Sequence, residues 1–231
     1  MNVFDKYVIE NLKLVKTEFA VVIAAYVVIL LLSNVSLFIN PGVSIILLIA
    51  LLATYLPLYF AYRKLFYDTV YGNSATLFNQ LPVTKEEVVA GKILVISIIA
   101  LAVEIVALAG FKFTGHNVFE GIEGALSVGN FAIETVSYVA ASAATGSLLF
   151  FVIAFYHLVP KAERGSIRLP LSVVLFIALE SVNARAVSLM AEKLSFENGN
   201  LISIAEAVLS MVMLTASAYA TVKMLKKTDE E

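Results

Sequence analysis

Apolar residues in this chain come in long blocks separated by short charged segments, with almost no strand-like alternation. Six blocks of about 20 or more mainly apolar residues follow one another at 19–39, 43–62, 93–111, 131–158, 169–188 and 201–222. Hydrocarbon offers no partner to an unpaired backbone group, whereas a helix of about 20 residues satisfies its own groups and is long enough to cross a bilayer core. The pattern therefore predicts an all-α membrane protein with six transmembrane helices forming a single domain over 19–222. Only Asn40, Pro41 and Gly42 separate the first two blocks, which requires a tight antiparallel hairpin. The fourth block is long enough to tilt or to project from the bilayer.

Residues 1–18 have a different pattern. Phe4, Val8, Leu12, Val15 and Phe19 recur at helical spacing, while Lys6, Glu10, Lys13 and Thr17 fall on another face. This predicts an amphipathic interfacial helix in the headgroup region, the alternative being a charged leader that only fixes topology. The first apolar block exceeds the core of a cleaved signal peptide and ends without a small-x-small pattern, so it reads as a retained span. Residues 223–231 read as a frayed, solvated tail.

Composition agrees with lipid as the main solvent: 60% of the 231 residues are hydrophobic and 15% charged, with mean hydropathy +0.91. A net charge of −2 gives no basic excess for nucleic acid, and the absence of cysteine excludes disulfides, thiolate metal sites and cysteine nucleophiles. The distribution of charge is more informative than its sum. Thirteen Lys and Arg residues fall in the N-terminal segment, the second and fourth loops and the C-terminus, against Lys112 and Lys193 in the loops of the other side. By the positive-inside rule, both termini are expected in the cytoplasm of a multi-pass cell-membrane protein.

The cytoplasmic segment 63–92 is the most informative part of the chain. Gly72, Asn73 and Ser74 form a turn that ends in a capping residue, so a short helix is predicted from Ser74 to about Leu81, with Leu77 and Phe78 inside it. Pro82 stops that helix. Thr84 then opens another, Glu87 completes a capping box three positions on, and the new helix is predicted to run through Gly91 and Lys92 into the third span.

The pattern Gly72-x-Ser-Ala-x-Leu-x-x-x-Leu81-Pro82-Val83-Thr84-Lys85-x-Glu87-x-x-x-Gly91-Lys92, placed between spans two and three, resembles that of the permease subunits of type 2 ATP-binding-cassette exporters. The resemblance implies that the loop forms a coupling helix docked on an ATPase. Gly72, Asn73, Ser74, Leu77, Phe78, Leu81, Pro82, Thr84 and Glu87 would be the coupling residues. It further implies two copies of a separate ABC ATPase that hold ATP and Mg, and a second permease subunit as homodimer or heterodimer. The chain departs from the family at 189–200, which allows barely one turn of the extracellular re-entrant helices such permeases often have.

Ionisable residues inside spans are functional candidates because of their cost in hydrocarbon. Glu104 and Glu180 fall near mid-depth, where two carboxylates could share a proton or bind a cationic group; Arg185 and Glu206 are placed to pair between spans five and six. All four are candidates either for a translocation path or for structural interhelix contacts. Ala140 with Ala144, and Ser142 with Gly146, form small-xxx-small pairs suited to a dimer contact or to internal packing. His116 and His157 fall on opposite membrane sides and do not share a metal.

No phosphate loop exists, since Glu86 stands where its first glycine belongs. The His-Glu-x-x-His and Gly-x-Ser-x-Gly motifs are also absent. The expectation is a non-enzymatic exporter permease for a peptide or other amphiphile, binding no cofactor itself. The alternatives are a six-span small-molecule-binding subunit of an uptake system and a membrane immunity or scaffold protein.

Overall fold

The structure, a computed structural model, describes residues 2 to 33, 60 to 72, 81 to 114, 128 to 158 and 199 to 230, together with short helical pieces between 174 and 189. Among the described residues the regular structure is entirely helical. Four long helices dominate: α1 (Val3–Ser33), α2 (Lys85–Thr114), α3 (Val128–Leu158) and α4 (Gly199–Glu230). A π-helical segment, Arg63–Asp68, precedes α2. α2 lies between α1 and α3, and α3 packs along α4.

Three stretches are long and apolar enough to cross a membrane: Lys85–Val106, Ala132–Leu158 and Leu201–Lys227. They coincide with the expected third, fourth and sixth spans, which suits a membrane protein. Of the first expected span, 19 to 33 are helical within α1; of the second, 60 to 62 are described; of the fifth, only the pieces between 174 and 189. The Asn40-Pro41-Gly42 turn lies outside the described residues.

The N-terminal helix is not divided where the sequence pattern changes. α1 is continuous through residues 18 and 19, so the amphipathic and apolar segments belong to one helix. The stripe read as lipid-facing is covered by protein: Val8 and Val15 belong to the core, Phe4 and Leu12 pack against it, and Tyr7 and Asn11 are buried. An apolar stripe has the same spacing whether lipid or protein covers it. The Asn11 amide donates to the Tyr7 carbonyl oxygen at 2.8 Å.

The C-terminal segment also differs, because α4 continues as helix to Glu230. Leu225 in the core and Val222 against it hold that last stretch in place. Several small residues of α3 are buried within the bundle, among them Ala140, Ala143, Ala144 and Ser147, while Ser142 is half-buried. A Cβ on Gly146 would stand 2.3 Å from Ile96 Cδ1 of α2, so the missing side chain admits that isoleucine.

Both described ends of the chain meet at one end of the bundle. Tyr7 lies on Gly91 near the start of α2, and Lys226, near the end of α4, pairs with Glu86 at 2.5 Å.

Candidate functional site

The start of α2 is set by a reciprocal cap. Thr84 Oγ1 accepts from the Glu87 backbone N–H at 3.2 Å, and Glu87 Oε2 accepts from the Thr84 N–H at 2.7 Å. The Thr84 carbonyl then receives the Val88 N–H at 2.9 Å, closing the first turn. Glu86 and Glu87 in this first turn also complement the positive end of the helix dipole. Before it, residues 81 to 84 are non-helical and the Val83 N–H donates to the Leu81 carbonyl at 2.8 Å. Pro82 is exposed in this bend. With no N–H of its own and a fixed φ, it suits a break between helices.

On the other side of residues 73 to 80, the chain is closed by carbonyl capture. The Tyr67 oxygen accepts from the N–H groups of Val70, Tyr71 and Gly72 at 3.2, 2.8 and 3.1 Å. A Cβ on Gly72 would lie 2.7 Å from Asp68 Cα; that neighbour is backbone and does not yield, so glycine is required here.

A compact polar and aromatic centre joins these two ends. Lys92, on the second turn of α2, is fully buried. Its ammonium donates to the Leu65 carbonyl and to Thr69 Oγ1, both on the π-helical side, and stands 5.6 Å from the centroid of the Phe150 ring of α3. Thr69 Oγ1 in turn donates to the Leu65 carbonyl at 2.6 Å. Phe66 and Phe150, both without exposed surface, stack at 4.7 Å. Tyr71 stacks on His157, at the end of α3, at 3.7 Å, and Lys64 pairs with Glu18 of α1. Gly91 lets the Tyr7 ring reach α2, since a Cβ there would lie 2.8 Å from Tyr7 Cδ1.

Of the expected coupling residues, Gly72 closes the turn after the π-helical segment, Leu81 and Pro82 lie in the bend, and Thr84 and Glu87 cap α2, while Asn73, Ser74, Leu77 and Phe78 lie outside the described residues. Glu180 also lies outside them, and with it the pairing of Glu104 and Glu180. Glu104 is half-buried on α2 and lies within electrostatic reach of Glu134 on α3. The expected Arg185–Glu206 pair is not present among the described residues: Arg185 is exposed, and Glu206 accepts from Ser137 Oγ of α3 at 3.2 Å. The close packing of α4 on α3 brings that hydroxyl to the carboxylate.

Lys92, Thr69 and Phe150 were not singled out from sequence, although Gly91-Lys92 closes the motif that was. The only signal for Lys92 was a cation at the start of an apolar block, which reads equally as a topology marker. Among the described residues no group of three or more His, Asp or Glu is gathered to hold a metal ion.

The sequence matches no protein-family model, and comparison with curated proteins and with solved structures finds no similar chain.

Proposed function

We propose that this chain is the membrane permease subunit of an ATP-binding-cassette exporter, moving a peptide or other amphiphile with ATP hydrolysed on a separate subunit. In this reading both termini and residues 73 to 80 face the cytoplasm. Two six-span chains, identical or homologous, flank the path, and two ATPase subunits holding ATP and Mg engage the coupling segment.

One observation carries the reading. The bend at 81 to 84 passes through a complete capping box into a helix that continues without interruption from Lys85 into an apolar stretch long enough to cross a membrane. A push on residues 73 to 80 would therefore enter a rigid rod rather than a slack loop. The bonds from Lys92 to Leu65 and Thr69 support the reading because they tie the rod to the segment before residues 73 to 80 and so give it a fixed foot. Bundles mounted on such feet would rock between inward-facing and outward-facing arrangements.

The test is replacement of Leu81 and Pro82 by a pair of glycines in the chain co-expressed with a span-free ATPase from its own gene neighbourhood. Membrane insertion is expected to persist while ATPase co-purification or transport-linked ATP turnover falls. Unchanged co-purification and turnover would end the lever idea.

A further inference from the structure

Among the described residues Lys92 is the one Lys, Arg, Asp or Glu that is fully buried. An ammonium has three donors and no acceptor, and removing it from water is costly unless those donors are met. Two meet oxygens, the Leu65 carbonyl and Thr69 Oγ1, and the ammonium also faces the Phe150 ring. No carboxylate among the described residues forms an ion pair with it. A methionine of similar length would fill the same slot beside Phe150 without burying a charge, and apolar replacement of buried ions is often neutral or stabilising. What lysine adds is direction, because its donors must meet two particular oxygens.

Those oxygens lie 27 and 23 residues before Lys92 in the chain, on the opposite side of residues 73 to 80. Leu65 lies within the π-helical segment and Thr69 caps its end; a π-helical turn is a form often found at functional sites. We propose that Lys92 is a positioning residue that latches the π-helical segment to the foot of α2, so that displacement of residues 73 to 80 reaches both flanking elements as one body. Phe150 extends the same contact to α3. The use of the latch in transport rests on the permease reading; its existence does not.

Because the chain has no cysteine, spin labels can be introduced through Arg63→Cys and Ala90→Cys, both exposed positions. The distance between them is read in the full chain in detergent. A single narrow distribution is expected with Lys92 present, a broadened or displaced one with Lys92→Met, and an intermediate one with Thr69→Val. Should Lys92→Met not fold, Thr69→Val alone gives the comparison. Distributions that superimpose across the folded variants would overturn the latch.

With an ATPase bound in vesicles, Lys92→Met is expected to lower transport per ATP by about ten-fold while ATP turnover is retained. A merely structural defect would lower both together, and that result would remove the positioning role. If no ATPase associates at all, the permease reading falls and the distance measurement alone decides the latch.

Discussion

At the end of the bundle where Tyr7 meets Gly91, α1, α2 and α3 meet through aromatic rings and a buried lysine, whereas α3 and α4 meet along small side chains and serine hydroxyls. The first region is directional. Lys92 must reach two oxygens, Phe66 must lie on Phe150, and Tyr7 must fit over Gly91. The second is permissive: Ser217 Oγ donates to Ser147 Oγ at 2.8 Å and also lies 2.8 Å from its own helix's Met213 carbonyl, so a shifted neighbour leaves it a partner. The outward face of α4 carries Val208, Val212 and Tyr219 at 57%, 63% and 62% exposure, a surface that suits lipid. The difference teaches that one end of the bundle is joined by contacts that demand particular partners, whereas the closely packed α3–α4 seam is joined by hydroxyls that also find an acceptor on their own helix.

The largest test of this contrast is Phe150→Ala. It removes a fully buried ring that touches both Phe66 and the Lys92 ammonium, and is expected to cost about 3–5 kcal/mol, seen as a large drop in thermal midpoint in detergent. Gly91→Ala follows, at about 1–3 kcal/mol, because its Cβ would force the Tyr7 ring away; it should be measured by the same melt and by protease sensitivity of α1. Thr84→Ala is next, at about 1 kcal/mol, with faster hydrogen exchange confined to the first turn of α2. Ser217→Ala is expected to cost least, about 0.6 kcal/mol. If Ser217→Ala proved more damaging than Phe150→Ala in the same melt, the contrast between a directional end and a permissive seam would be reversed.

What could be read from sequence was local. The Thr84–Glu87 cap is a relation between residues three apart, and the structure contains both of its hydrogen bonds. The apolar blocks likewise announced the three described helices able to cross a membrane. Relations between distant parts of the chain were not legible. Leu65 and Thr69 have no sequence feature that marks them as partners of a lysine in the next helix, and the π-helical turn has no local signature. Ile96 and Gly146 are fitted to one another across two helices, so the small residue alone left dimer and internal contact equally open. The amphipathic face of α1 was legible as a face, but what covers it depends on where α2 is placed. Glu206 was visible as a costly charge in a span; its partner, Ser137, became apparent only from the packing of α3 on α4.

The permease reading makes its plainest demand on assembly. The most direct measurement is the mass of the purified complex after co-expression of this 25.0 kDa chain with a span-free ATPase from its gene neighbourhood, taken in detergent or nanodiscs by native mass spectrometry. The reading predicts two permease chains with two ATPase subunits, and loss of the ATPases when Leu81 and Pro82 are replaced. A folded chain that remains single and retains no ATPase would contradict it.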